Sequence, residues 1–283
     1  MDPIRAGIAF MIAGVMLVPV GDAFAKEIAR ATDIPPSTVA WTRFVIGAAL
    51  FLPLALLSRD RPALTWRIIG AQVLRGALVA GGIFCMVTAV SFAPLAEVFG
   101  AFFIAPAVST ALAVWVLGER PARLDLVSLA LGLVGVALVT RPGAEMNIGL
   151  VWGLAAGVLY GAFNAATRWS AAFAPPRTQI AGQLLVGAIL LAPLGAAGLG
   201  AVGQAPLLVL GSGLASAVAN FLLTLAYARA SAGVLAPIIY LQLLSASAIG
   251  MTVFDETPDM LASIGLFLIF TAGFVLKLMV RRG

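Results

Sequence analysis

The sequence contains no histidine and a single cysteine among its 283 residues. Without histidine there are no imidazole metal ligands, no His-dependent catalytic dyads and no histidine proton relays. Cys85 lies inside an apolar run, so the chain has neither a disulfide framework nor a Cys-based metal site. The sequence also has no phosphate-binding loop of the nucleotide-hydrolase type. We therefore expect no cofactor, no metal and no ATP-driven chemistry.

Charge is also scarce. Charged residues make up 10% of the chain and hydrophobic residues 62%, with a mean hydropathy of +1.09. Soluble domains carry about 25% charged residues. The net charge of +5 does not indicate nucleic acid, because the basic residues form short clusters between apolar runs. The composition predicts an all-α polytopic membrane protein whose partners are the lipid bilayer and a small-molecule substrate.

Charged or Pro-rich breaks divide the chain into segments of about 20 residues, the length that crosses a bilayer as a helix. The N-terminal segment ends in Ala23-Phe24-Ala25, which resembles a signal-peptide cleavage site. It continues as Lys26-Glu27-Ile28 and has a partner in the second half, so we expect it to be retained. The sequence predicts ten spans: 4–25, 36–57, 68–91, 95–117, 124–140, 148–169, 178–199, 206–228, 232–254 and 260–280.

The basic residues predict the orientation of these spans. With both termini in the cytoplasm, only Lys26, Arg30 and Arg141 fall in external loops, while Arg43 and Arg75 lie within helices. The other loop cations are then cytoplasmic, as the positive-inside rule requires. We expect a multi-pass protein of a bacterial inner membrane.

The two halves of the sequence match when one is shifted by about 140 residues. Pro35-Pro36-Ser37-Thr38 recurs as Pro175-Pro176-Arg177-Thr178, and Glu119-Arg120-Pro121 recurs as Glu256-Thr257-Pro258. Because each half has five helices, the second enters the membrane from the opposite side. The sequence therefore predicts a 5+5 inverted repeat, residues 1–143 and 144–283, which is typical of alternating-access carriers. Further matched pairs are Asp22 with Asn164, Lys26 with Arg168, Gly47 with Gly187, Gly76 with Gly213 and Phe84 with Phe221.

These features resemble the drug/metabolite transporter superfamily in its ten-helix EamA form. The resemblance rests on Leu117-Gly118-Glu119-Arg120-Pro121 after a helix with a central Pro106, and on the glycines of 132–135. The second half departs from the pattern, because Phe254-Asp255-Glu256-Thr257-Pro258 lacks the Gly and Arg, and Leu243 replaces the proline. Within the superfamily the chain is most similar to bacterial aromatic-amino-acid exporters. The resemblance implies a secondary transporter that exports amino acids and related metabolites.

Polar and aromatic residues near mid-depth are candidates for the substrate site. An amide and two phenols would orient the polar end of an amino acid, and rings would accept its side chain. Bonding between neighbouring helices is the alternative explanation for each of them. The predicted substrate-binding residues are Tyr240, Gln242, Tyr160, Ser216, Phe84, Asn164 and Asn220.

Charged residues within the spans are candidates for gating. Asp22 and Arg43 are predicted to pair in the outer third, with Glu97 in the same layer, while Arg75 lies toward the cytoplasm. Lys26 is expected to reach the headgroups instead. Pro106 is predicted to be a hinge. Four glycines of the sixth span, Gly149, Gly153, Gly157 and Gly161, are expected to pack against another helix.

Other functions remain open on the sequence. A membrane-embedded flippase or transferase acting on lipid-linked substrates would need grouped loop carboxylates, and only Asp255, Glu256 and Asp259 come close. A structural subunit would leave the mid-depth polar residues without a role. The sequence favours a transporter over an enzyme, and it leaves the oligomeric state open, with a monomer as one option.

Overall fold

A computed structural model describes residues 3–56, 65–118, 123–143, 146–227, 229–230 and 235–275, and this part of the chain is helical, with no strand. We number the α-helices in chain order: α1 Pro3–Ala31, α2 Pro36–Leu56, α3 Trp66–Phe92, α4 Leu95–Phe102, α5 Ala105–Leu117, α6 Arg123–Thr140, α7 Ile148–Ala171, α8 Pro176–Gly195, α9 Pro206–Tyr227, α10 Leu241–Val253 and α11 Met260–Phe270. The 3₁₀ segments Ala196–Gln204 and Ala236–Tyr240 follow α8 and precede α10, and a π-helical turn, Thr271–Val275, follows α11.

Six helical segments of the described chain are long and apolar enough to cross a membrane, and three shorter apolar segments accompany them. This confirms a polytopic membrane protein, while the count of ten spans and the orientation of the termini stay predictions. The first helix extends to Ala31, beyond the predicted end at residue 25. Residues 57–64, 119–122 and 276–283, which include part of the motif that begins at Leu117 and the end of the last span, lie outside the described residues.

Local sequence explains where several helices begin and end. The side chains of Thr65, Asn147 and Asp259 accept hydrogen bonds from the first-turn N–H groups of α3, α7 and α11. Gly118 ends α5 with a φ of 68°, a left-handed conformation that glycine adopts without steric cost.

The predicted span at 95–117 is broken in the structure. α4 ends at Phe102, and Pro106 lies in the first turn of α5. A proline ring clashes with the carbonyl four residues earlier, here that of Phe102, which favours an interruption of the helix at this point. The prolines Pro19, Pro53 and Pro193 lie inside continuous helices, so Pro106 contributes to the break but does not by itself require it. The predicted span at 232–254 is also irregular, because the 3₁₀ segment up to Tyr240 precedes α10.

The helix contacts follow the sequence repeat. α1 packs along α9, and α3 packs along α7. In the sequence repeat α1 corresponds to α7 and α3 corresponds to α9. Replacing each helix by its counterpart therefore turns the α1–α9 contact into the α7–α3 contact. The α2–α8 and α6–α11 contacts map onto themselves. An inverted repeat would produce this pattern.

The antiparallel packing of α1 on α9 defines two ends of the bundle. Gly7 lies against Ala230, whereas Gly21 lies against Ser216. We call the end that holds Lys26 and Ala93 the outer end, which the sequence predicts to be external. The opposite end, near Gly7, is the inner end.

Candidate functional site: a cavity between two charged clusters

A buried ion pair joins α1 to α2 toward the outer end. Arg43 Nη1 lies 2.6 Å from Asp22 Oδ1, and the two side chains are 6% and 3% exposed. Arg43 also donates to Ser212 Oγ at 2.9 Å and to the Gly21 carbonyl at 2.7 Å. These contacts neutralise the charge and tie α9 to the pair. The structure therefore brings together the two residues predicted to pair, and their role in gating stays a prediction.

Lys26 does not reach the headgroups, and that expectation is wrong. The side chain is 6% exposed, and its ammonium lies 2.6 Å from both Glu256 Oε1 and the Ala93 carbonyl. Glu256 Oε2 accepts the backbone N–H of Leu95 at 2.9 Å. Charge pairing within the protein replaces solvation at the headgroups, so Lys26 connects α1 to the loops beside α4 and α10. Glu97 has no cation within 4.0 Å among the described residues, and it shares this region without joining an ion pair.

A second, exposed contact joins the loop between α10 and α11 to the loop between α6 and α7. The Arg141 guanidinium donates to the carboxylate of Asp259. This bond, together with the Ala262 N–H, holds the pKa of Asp259 below its usual value. Asn147 also donates to the Phe92 carbonyl at 3.2 Å. The outer end is therefore held by polar contacts between loops that are distant in sequence.

A cavity of about 80 Å³ lies between α2, α3, α8 and α9. It begins at Arg43 and extends toward the inner end, to Ile180 near the start of α8 and Thr224 near the end of α9. Two lining rings, Phe51 and Phe221, stack with centroids 5.2 Å apart. Polar groups interrupt an otherwise apolar wall, which is the lining typical of small-molecule sites. The volume is smaller than the roughly 300–1,000 Å³ of such sites, so the cavity must widen to admit a solute of that size. The polar lining residues are Arg43, Gln183, Ser216, Asn220 and Thr224, and the apolar ones include Phe44, Phe51, Val79, Ile83, Ile180, Leu184 and Phe221.

Arg75 forms a second buried cluster, toward the inner end. The residue is 2% exposed, and its guanidinium lies 5.1 Å from the centre of the Phe163 ring. The cluster links α3, α7 and α8 through neutral groups. The acceptors are Thr167 Oγ1 at 2.9 Å, Gln72 Oε1 at 2.8 Å, the Gln179 carbonyl at 3.0 Å and Gln183 Oε1 at 3.2 Å.

Aromatic rings form a row from the break before α10 to the Arg75 cluster. The successive centroid distances are 4.9 Å for Tyr240–Phe103, 6.2 Å for Phe103–Phe102, 5.2 Å for Phe102–Tyr160 and 5.5 Å for Tyr160–Phe163. The predicted residues Tyr160 and Tyr240 thus belong to one ring assembly. The row passes directly beside the break between α4 and α5.

The glycine stripe of α7 packs against that broken segment, as predicted. Gly149 lies against Ala93, Gly153 against Ala101, Gly157 against the carbonyl of Phe102, and Gly161 against the carbonyl of Ala105. The absence of side chains on this face lets α4 and α5 approach the α7 backbone.

The remaining predicted site residues do not share one location. Ser216 and Asn220 line the cavity, and the Asn220 amide donates to the Ser216 carbonyl at 2.8 Å. Gln242 is buried in α10, and Phe84 packs edge-on to Trp152. Asn164 is half-buried on α7, and Pro106 lies in the first turn of α5.

Sequence reasoning missed several residues that the structure places in these clusters. Glu256 had a signal, because it repeats Glu119 in the turn after the broken span. Gln183 had one too, because it stands at the position that corresponds to Arg43 when Gly47 is matched with Gly187. Ser212 had a similar signal, because it stands opposite Arg75 when Gly76 is matched with Gly213. Phe102 and Phe103 carried no charge or motif that would distinguish them from packing residues.

Comparison with known proteins decides the family. The profile of the EamA-like transporter family matches residues 5–141 and again residues 147–278. The chain belongs to this family. It is therefore a multi-pass membrane protein of the drug/metabolite transporter superfamily, and the family points to a transporter rather than to an enzyme.

Curated relatives of this EamA-like transporter carry transporter names. An uncharacterized transporter of Helicobacter pylori is 29% identical over 188 residues, 62% of each chain. A riboflavin transporter of Brucella anthropi is 27% identical over 242 residues, 81% of this chain and 83% of that one. An uncharacterized transporter of Archaeoglobus fulgidus is 27% identical over 55% of this chain and 54% of its own. The chain thus spans less than two thirds of the Helicobacter and Archaeoglobus relatives.

A solved crystal structure has the same fold. It superposes with a TM-score of 0.65 over 98% of both chains, at 20% sequence identity.

Proposed function

We propose that this EamA-like protein is a secondary transporter that exports amino acids and related small metabolites across a bacterial inner membrane by alternating access. The observation that carries the proposal is the cavity beside Arg43. It has apolar walls with a few polar groups, and the buried Asp22–Arg43 pair lies at its outer limit. The family supports transport as such, and the geometry supports a path for a small solute.

The cavity supports a state that faces the cytoplasm. Its lining extends to Ile180 and Thr224 near the inner end, while Lys26 and Glu256 hold the outer end. Opening the outer end requires separation of buried charges, which is costly unless the partners are replaced. The ion pairs then act as the outer gate.

The two halves supply the alternate state in this proposal. Residues 1–143 and 144–283 act as inverted repeats, so the α1–α9 contact and the α3–α7 contact exchange roles as the protein turns over. The break at Pro106 and the smooth glycine stripe of α7 allow α4 and α5 to shift against α7.

Aromatic groups support a solute with a planar ring. Phe51 and Phe221 line the cavity, and the row from Tyr240 to Phe163 runs through the bundle. Aromatic rings pair favourably in stacked or edge-on arrangements. An aromatic amino acid has such a ring, and so does the flavin named for the Brucella anthropi relative.

Flux through the purified protein tests the proposal. Proteoliposomes that contain only this chain are loaded with L-phenylalanine or with riboflavin, and exchange against the labelled compound outside is followed. We expect exchange of L-phenylalanine well above that of protein-free liposomes. Riboflavin exchange alone would replace the amino acid as the solute, and the absence of flux for both would contradict the proposal.

A further inference from the structure

Arg75 is a buried cation that lacks an acidic partner. Arg43 and Lys26 each have a carboxylate 2.6 Å away. All acceptors of the Arg75 guanidinium are neutral, and no described carboxylate lies within 4.0 Å of it. An unmatched charge inside a membrane bundle is expensive, and such residues usually mark a substrate or ion path.

The same cluster has more N–H donors than acceptors. A guanidinium carries five N–H groups, and four hydrogen bonds leave one Arg75 N–H without an acceptor among the described residues. The side-chain amide nitrogen of Gln72, a residue 6% exposed, is buried without a partner, although its oxygen accepts from Arg75. Positive charge together with unfilled N–H groups fits an anion.

The sequence correspondence between the halves identifies what is missing. When Gly47 is matched with Gly187 and Gly76 with Gly213, Arg43 corresponds to Gln183 and Ser212 to Arg75. The Arg43–Ser212 contact is then the counterpart of the Gln183–Arg75 contact.

Asp22, the acid of the outer cluster, corresponds to the neutral Asn164. Asn164 follows Phe163 on α7 and precedes Thr167 by less than one turn, and both of those residues contact Arg75. The inner cluster therefore has an arginine, but a neutral amide stands at the position of the acid.

We propose that Arg75 and the Gln72 amide bind the carboxylate of the transported solute, which supplies the acid that Asp22 supplies in the outer cluster. The proposal deepens the proposed function and rests on it. The carboxylate reaches Arg75 from the cavity at Gln183. This residue lines the cavity, and its side-chain oxygen accepts a hydrogen bond from Arg75 Nη2. Rotation of the Gln183 side chain leaves both N–H groups of Nη2 for the entering carboxylate, and Phe163 supports the guanidinium plane.

Binding of matched acids and amides tests the site. Thermal unfolding of the purified full chain in detergent is measured with L-phenylalanine, phenylacetate or benzoate, and with L-phenylalaninamide, phenylacetamide or benzamide. We expect at least one acid to stabilise the protein with an affinity about tenfold or more above that of its amide. Equal affinity within every pair, or no stabilisation by any acid, would overturn the proposal.

Two variants locate the effect. Arg75→Gln should remove the preference for the acid, whereas Arg229→Gln should keep it, because Arg229 is an exposed arginine that also lies over a phenylalanine ring. If Arg75→Gln does not fold, the variant Asn164→Asp tests the site instead, because it places an acid at the position that corresponds to Asp22. The added acid should raise the unfolding temperature and weaken acid binding about tenfold or more. Acid binding as in the unmodified chain would overturn the proposal.

Chloride separates a solute carboxylate from a simple anion site. We expect chloride, exchanged for methanesulfonate because that anion has no carboxylate, to compete only weakly with the stabilising acid. If chloride alone stabilises the protein through Arg75 and the acids add nothing, the solute assignment is overturned.

The carboxylate site and the transport function can fail separately. Flux of a solute without a carboxylate, unaffected by Arg75→Gln, would overturn the carboxylate site while the transporter proposal stands. Acid binding through Arg75 without flux of any solute would remove the transporter proposal and leave the site.

Discussion

The rings of Phe103 and Tyr240 stack on each other, with centroids 4.9 Å apart and planes inclined by 20°. Phe103 follows the end of α4, and Tyr240 ends the 3₁₀ segment before α10. The offset that matches Glu119 with Glu256 also matches these two residues. The irregular points of the two corresponding spans therefore meet at one ring contact in the middle of the bundle.

Because of this contact, we expect different effects of alanine substitution at Tyr240 and at Gln242. Tyr240→Ala removes a ring stacked on Phe103, so we expect a loss of stability of about 3–5 kcal/mol. Gln242 is also buried, in α10, and its amide is the group that the sequence predicts to bind the solute. Gln242→Ala should therefore lower L-phenylalanine flux while detergent stability stays near normal. Flux and thermal unfolding measured on both variants check this, and normal flux in Gln242→Ala would place the solute elsewhere.

The outer ion pair predicts a partial rescue. Asp22→Asn and Arg43→Gln each leave a buried group unmatched, which costs about 3–5 kcal/mol and should reduce flux. The exchange Asp22→Arg with Arg43→Asp restores opposite charges, but the new arginine starts from α1 and loses the bond to Ser212. We expect flux between that of the single variants and that of the unmodified chain. A swap no better than the worse single variant would mean that each residue acts alone.

The glycine stripe of α7 gives a stability prediction with an internal control. In Gly157→Ala the new Cβ would lie 2.5 Å from the Phe102 carbonyl oxygen, and overpacking of this kind costs about 1–3 kcal/mol. Gly70 lies in α3 with no atom within 4 Å of a Cβ placed there, so Gly70→Ala should gain about 0.5–1 kcal/mol. Thermal unfolding of both variants measures the difference. Equal changes would show that α7 and the broken segment do not pack closely.

The sequence predicted contacts best for residues that are stable in only a few surroundings, such as charged side chains inside an apolar bundle. Asp22 and Arg43 had to find partners inside an apolar bundle, so their pairing followed from composition and depth. Lys26 was misjudged, because a long side chain reaches either headgroups or a distant acid, and Glu256 lies far away in sequence. The ring row was also beyond prediction, since an aromatic residue within a span does not indicate which neighbour it meets.

Topology is tested by reporter tags. We expect tags at positions 1, 62, 122, 172 and 283 to be cytoplasmic and tags at 33, 144 and 202 to be external, because the basic loops then stay inside. Alkaline phosphatase and fluorescent-protein fusions report the two sides. An external C-terminus would break both the count of ten spans and the inverted repeat.

Alternating access is the central claim, and the accessibility of the cavity from each side tests it most directly. Cys85 is the single cysteine and is buried, so Cys85→Ser with Asn220→Cys places one thiol on the cavity wall. An impermeant maleimide is applied to right-side-out and to inside-out vesicles. We expect labelling from the cytoplasmic side alone, with external labelling appearing when Asp22→Asn breaks the outer pair. Equal labelling from both sides with the pair intact, or labelling from the external side alone, would contradict the account.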